Sequence, residues 1–184
     1  MNTTLTIIAA VAGVAVLWLV FTYNRLVTLR FRAKEAISDI DVQLKRRYDL
    51  IPNLVEAVKG YMAHEKGVLE NVTAARAKVA TGGSPLERAE DENVLSGTLK
   101  TLFAVAENYP DLKANVNFLD LQRELADTEN KIQASRRFYN TTVRDLNTKI
   151  ETFPTNIIAG KFGFSHMDFF EADGEEKEPI KVQF

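Results

Sequence analysis

The sequence predicts an all-α protein, in which an N-terminal transmembrane helix continues into an antiparallel four-helix bundle followed by a short aromatic C-terminal segment. Three observations predict it. Residues 2–24 are an unbroken run of 23 uncharged residues, apolar residues from Leu26 to Phe153 recur three and four apart, and five of the eleven Phe fall between Phe153 and Phe170. The first fits a bilayer span, the second is the period of an amphipathic helix, and the third demands apolar surface to cover. The chain divides accordingly into an anchor over 1–24, a bundle over 25–153, and a Phe-rich segment with an acidic tail over 154–184.

The uncharged run has LTIIAAVAGVAVLWLVF at its centre. At about 1.5 Å per residue it reaches roughly 35 Å, against a hydrocarbon core of about 30 Å. Trp18, Phe21 and Tyr23 stand near one end, where interfacial aromatics belong. No basic residue precedes the run and FTYNRLV follows it, which is the pattern of an uncleaved anchor rather than a cleaved secretory signal. Arg25, Arg30, Arg32 and Lys34 then put four cations and no acid in the next ten residues. The positive-inside rule places the short N-terminus outside and everything from about Arg25 onward in the cytoplasm, with these four side chains against anionic headgroups.

Beyond the span, one apolar seam reads Ala33, Ile37, Ile40, Leu44, Tyr48, Ile51, Val55, Val58, Met62. A second reads Phe118, Leu121, Leu125, Thr128, Ile132, Ser135, Tyr139, Thr142, Leu146 and Phe153. Small and hydroxyl residues dilute both stripes, which suits a bundle better than a long two-stranded coiled coil. Asp49 as a cap with Pro52 in the first turn suggests a boundary, while the seam running on through Ile51 suggests a kink in one helix. Gly82-Gly83 breaks the chain, and Ser84-Pro85-x-Glu87 is a capping box with Pro at the first helical position. Asn108-Tyr109-Pro110-Asp111 marks another boundary, and Phe153-Pro154 ends the last helix. The expected helices are roughly 25–49, 50–80, 85–107 and 111–152.

Composition excludes much chemistry. The 184 residues hold 23 Lys plus Arg against 25 Asp plus Glu, two His and no Cys. Disulfides, thiolate metal sites and a Cys nucleophile are therefore ruled out. His64-Glu65 lacks the second His of a zincin, no Glu-x-x-His pair exists for a di-iron bundle, and Gly160-Lys161-Phe162-Gly163 is not a phosphate loop. A formal charge of −2 offers no general attraction to nucleic acid. No enzyme activity, cofactor or metal is expected.

The remaining candidates are interaction residues. Lys45, Arg46 and Arg47 are consecutive cations that fan over a wide arc of one helix, and Arg136 and Arg137 repeat the theme beside Tyr139. Pairing that sets helix register and recognition of an anion or partner are both open to them, and for the first three Asp49 or an acidic group on the last helix is a candidate partner. Phe162, Phe164, Phe169 and Phe170 either pack back over the bundle or face a partner or a second copy. Six acidic residues between Asp168 and Glu178 read as a solvated tail.

In combination, YNRLV after the span, DVQLKRRYDLIPNLVEAVKGY from Asp41, RRFYN from Arg136, and FPTNIIAGKFGF followed by FFE resemble the LemA family of bacterial membrane-anchored proteins. The resemblance covers essentially the whole chain. It implies an N-terminal transmembrane helix, a small extracellular N-terminus, a bundle of four helices and no established biochemical activity. It also extends to relatives that include a protein needed in magnetosome membrane formation. The expectation is a single-pass protein of the cytoplasmic membrane acting as a non-enzymatic scaffold, with a regulatory or signalling adaptor as the alternative. Its expected partners are the bilayer and an unidentified membrane or cytoplasmic protein, with a homo-oligomer left open and nucleic acid excluded.

Overall fold

A 57-residue helix, α1 (Thr3–Lys59), opens the computed structural model, which describes residues 3–170. It is followed by α2 (Lys66–Val79), α3 (Ala89–Ala106), the single turn α4 (Pro110–Lys113), α5 (Val116–Glu151) and α6 (Thr155–Lys161). Among the described residues there is no strand, so the chain is all-helical. The acidic run beyond Phe170 lies outside the described residues.

Helix α1 does not end at Asp49. It continues through Pro52 to Lys59, so the expected boundary between 49 and 50 is absent and the break falls instead at 60–65. Proline removes the N–H that would reach the carbonyl four residues back, that of Tyr48. Arg76 on α2 supplies the missing donor, its Nε lying 3.2 Å from the Tyr48 oxygen. After Gly60 the chain turns tightly, with Tyr61 and Met62 both donating their N–H to the Val58 carbonyl and Met62 fully buried.

The capping box closes in both directions. The Ser84 N–H donates to Glu87 Oε2 at 2.6 Å and the Glu87 N–H to Ser84 Oγ at 3.4 Å. These bonds organise a turn over 85–88, and the regular helix α3 starts one turn later than expected. Gly82 and Gly83, at φ of 97° and 103°, carry the chain into that turn through a region closed to most side chains. The expected 111–152 helix is also split, because Asn115 caps α5 by accepting the Phe118 N–H at 3.2 Å.

The described chain falls into two units, one formed by residues up to Ala36 with Arg137–Phe169, the other by Ile37–Arg136 with Phe170. In the first, Leu26 and Leu29 of α1 cluster with Leu146 of α5, Ile158 and Ala159 of α6, and Phe164. The preceding part of α1 is left uncovered: Leu5, Ile8, Val14 and Leu17 are all more than 60% exposed. In the second unit, Ile51, Leu54 and Val58 of α1 share a core with Val72 and Val79 of α2, Leu95, Leu99 and Leu102 of α3, and Phe118 and Leu125 of α5. Each such fully buried side chain contributes about 1.5–3 kcal/mol.

Most of the two seams is buried, but Phe153 is not: it is 75% exposed, beyond the end of α5. The buried hydroxyls are satisfied within their own helix, Thr128 donating to the Glu124 carbonyl at 2.7 Å and Thr142 to that of Phe138 at 2.9 Å. This lets hydroxyl residues occupy core positions without an unmet polar group.

Candidate functional site

The three consecutive cations at 45–47 meet three different surroundings. Lys45 is exposed and lies 3.3 Å from Asp49 on the next turn. Arg46 reaches across to α5, pairing with Glu124 and lying 3.9 Å from Asp127. Such exposed pairs contribute little individually. Arg47 points into the second unit and is only 1% exposed.

There its two terminal nitrogens divide the work. Nη1 donates to Ser96 Oγ and to Glu129 Oε2, each at 2.5 Å, while Nη2 donates to Glu92 Oε2 at 2.5 Å and to the Glu92 carbonyl at 3.2 Å. One guanidinium thus ties α1 to α3 and α5. Glu92 is as buried as Arg47, and its second oxygen, Oε1, has no hydrogen-bond partner among the described residues. Glu129 is better supplied, since Gln133 donates to its Oε1 at 3.1 Å and the Ser96 hydroxyl lies 3.1 Å from its Oε2. Burial pushes the Glu129 carboxyl up, but the charge of Arg47 and the hydrogen bonds from Gln133, Ser96 and Arg47 outweigh it and hold the group below its ordinary range. A cavity of about 180 Å³ adjoins the cluster, lined by Arg47, Ser96, Leu99, Phe103, Leu125 and Glu129 among others.

The expected kinds of partner are present, Asp49 for Lys45 and the α5 acids Glu124 and Glu129 for Arg46 and Arg47, but sequence reasoning missed Glu92 and Ser96. Glu92 and Ser96 sit three to four apart in the same stripe of α3 as Ala89 and Leu99, so an acid at a core position was the available signal.

Arg136 is also buried, with Nη1 2.8 Å from Asn93 Oδ1 and its guanidinium 4.4 Å from the centre of the Phe170 ring. Its neighbour Arg137 is exposed.

The first unit gathers the remaining candidates. Arg25, Arg32 and Lys34 are exposed, whereas Arg30 is half-buried with its guanidinium 5.2 Å from the Phe164 ring centre. Tyr23 makes edge contacts with Phe162 at 5.0 Å and Phe164 at 5.8 Å. From Phe164 the chain is held along α5: Asn147 donates to the Met167 carbonyl at 2.9 Å and accepts its N–H at 3.0 Å, and Tyr139 donates to the Asp168 carbonyl at 2.8 Å. Phe164 and Phe170 are buried, while Phe162 and Phe169 remain half exposed. Among the described residues, no group of three or more His, Asp or Glu could hold a metal ion.

Comparison with known proteins bears on this architecture. The family model described as the LemA family matches residues 36–184. The chain is 30% identical to a Protein LemA of Metamycoplasma hominis over 161 residues, covering 85% of this chain and 72% of that protein. It is 24% identical over 202 residues to Magnetosome protein MamQ 2 of Paramagnetospirillum magneticum, covering 96% and 74% of the two chains. It is 23% identical over 188 residues to Magnetosome protein MamQ of Magnetospirillum gryphiswaldense, covering 88% and 69%.

Proposed function

The chain belongs to the LemA family, and from that premise we propose that it is a membrane-anchored, non-enzymatic scaffold that organises a protein assembly at the cytoplasmic membrane. The observation that carries the reading is the start of α1. Its apolar window has a mean hydropathy of 2.5 and no part of it is buried by the rest of the described chain. A core helix of the same composition would be covered by its own protein; this one leaves its whole circumference to an apolar solvent. The cations that follow orient it with the N-terminus outside and the helices from Arg25 onward in the cytoplasm. Those helices act as an antiparallel four-helix bundle built on α1, α2, α3 and α5. Two relatives bear the name of magnetosome proteins, which supports assembly at a membrane as the kind of role.

The absence of Cys makes the test direct, because a single introduced thiol is a unique reporter. Thr4→Cys and Ala104→Cys, both at exposed positions, are treated in intact cells with a membrane-impermeant maleimide. Labelling of Thr4→Cys alone, with Ala104→Cys labelled only after lysis, is the expected result. Labelling of both in intact cells, or extraction of the chain by alkaline carbonate, would contradict it.

A second reading is favoured by one observation: α1 runs without a break in its helix from Thr3 to Lys59, so the exposed apolar stretch and Arg47 belong to one helix. A regulatory adaptor would use that helix to pass a change in the span to the packing around Arg47. Inserting one or two residues between Asn24 and Arg30 rotates the two ends by about 100° per residue. An adaptor loses its output under this change, whereas a scaffold keeps its assembly.

A further inference from the structure

Within the first unit, the C-terminal segment reaches back to the last turn of the uncharged run. Phe162 packs on Tyr23 at 5.0 Å, inside the run that ends at Asn24, and Thr22 is buried although every described residue before it is exposed. Leu26 and Leu29, about 3 and 8 Å beyond Asn24 along the axis, are covered by Ile158, Ala159 and Phe164. Helix α6 therefore lies level with the end of the span. It buries Ile158 and Ala159 against α1 but leaves Phe153, Ile157 and Phe162 exposed by 75%, 62% and 48%.

Cations outnumber acids at this level. Residues 24–34 contain Arg25, Arg30, Arg32 and Lys34 and no Asp or Glu, α6 adds Lys161, and the acid at the end of α5, Glu151, is paired with His166 at 2.8 Å. Exposed aromatic and aliphatic groups mixed with cations, at the depth where a span leaves the hydrocarbon, match the boundary between acyl chains and anionic headgroups.

We propose that the segment 153–162 is a second membrane contact, with Phe153, Ile157 and Phe162 seated in the interface and Lys161 and Arg25 beneath anionic lipid phosphates. This rests on reading residues 2–24 as a span. The occupant of the exposed face is the bilayer surface itself, because the span that holds Tyr23 brings it within reach of Phe162 at no further cost in orientation. Two contacts, one crossing and one lying flat, would fix the tilt and rotation of α1 where a lone span leaves them free.

The test uses the full chain in vesicles of equal parts phosphatidylcholine and phosphatidylglycerol, with acyl chains brominated near their carbonyl ends. Trp18 is the only Trp, so its quenching reports the span. Phe162→Trp in a Trp18→Phe background reports the segment, and Phe138→Trp in the same background is the control. Phe138 is exposed on the same unit but sits 13 residues before the end of α5, about 20 Å along the helix. Far-UV circular dichroism and thermal melting establish that each variant is folded.

The expected result is blue-shifted, bromine-quenched emission for Trp18 and for Phe162→Trp, with Phe138→Trp unquenched. Replacing phosphatidylglycerol by phosphatidylcholine is expected to weaken the quenching of Phe162→Trp and leave that of Trp18 unchanged. Quenching of Trp18 with none of Phe162→Trp overturns the inference and leaves the anchor standing. Equal quenching of Phe162→Trp and Phe138→Trp also overturns it. An unquenched Trp18 overturns the anchor, and the inference with it.

Discussion

Arg76 donates its Nε–H to the Tyr48 carbonyl, the acceptor that Pro52 has no N–H to reach, and lays its guanidinium 3.7 Å from the centre of the Tyr48 ring. A side chain on α2 thus repairs a gap that proline opens in α1, and α1 passes through Pro52 without ending. The repair is testable by coupling. Arg76→Met leaves the carbonyl without its donor and is expected to cost about 1–3 kcal/mol. In a Pro52→Ala background the helix supplies its own amide, and the same substitution should cost only the stacking contribution, about 0.5–1 kcal/mol. Equal costs in both backgrounds, measured by urea denaturation, would show that the two residues are not linked.

The Arg47 cluster gives a sharper contrast. Arg47→Met leaves Glu92 and Glu129 without their shared cation, Glu92 being almost fully buried, and is expected to destabilise by about 3–5 kcal/mol. Replacing all three, as Arg47→Met with Glu92→Leu and Glu129→Leu, removes the desolvated charges together. That variant is expected to be at least as stable as the parent. If the triple variant were as damaged as the single one, charge burial would not be the dominant cost. If it folded but no longer assembled, the cluster would be serving specificity.

Acid stability should depend on Glu129. Its carboxyl is held below its ordinary value when folded, so the folded state binds the proton less tightly than the unfolded state. The stabilisation is complete above the unfolded value of 4.5 and is lost as the pH falls below it. Glu129→Gln is expected to lower stability at neutral pH and to flatten the decline as the pH falls below 4.5. A decline of unchanged slope in the variant would assign acid unfolding to other carboxylates.

The turn before α3 permits a paired comparison. Both Gly82 and Gly83 sit at positive φ, where an L side chain costs roughly 1–2 kcal/mol. A Cβ at Gly82 meets nothing within 4 Å, whereas one at Gly83 would lie 3.0 Å from Glu87 Oε2, the atom that accepts the Ser84 N–H. Gly83→Ala is therefore expected to cost more than Gly82→Ala, and thermal melts of the two variants check the order.

Local patterns were legible in the sequence and long-range repairs were not. The Ser84–Glu87 box, the Gly82-Gly83 turn and most of both seams are written in spacing and side-chain type within a few residues. The seam through Ile51 pointed to one helix passing Pro52, but not to what permits it, because the donor comes from Arg76, 24 residues further along and on another helix. Glu92 is a similar case. An acid on a core stripe reads as a solvated residue until Arg47, 45 residues earlier, is placed against it. Packing back of the Phe-rich segment was one of two readings open in the sequence, but which rings it buries, Phe164 and Phe170 rather than Phe162 and Phe169, was not legible, since that depends on where Asn147 and Tyr139 hold the segment.

The scaffold reading stands or falls on whether the chain assembles in its membrane. The most direct measurement is the mass of the full-length protein, crosslinked in intact cells by a membrane-permeant reagent and then extracted in mild detergent. The account predicts a discrete species well above the 20.7 kDa of one chain, recovered in the membrane fraction. A single species at the mass of one chain, unchanged by crosslinking, would contradict it.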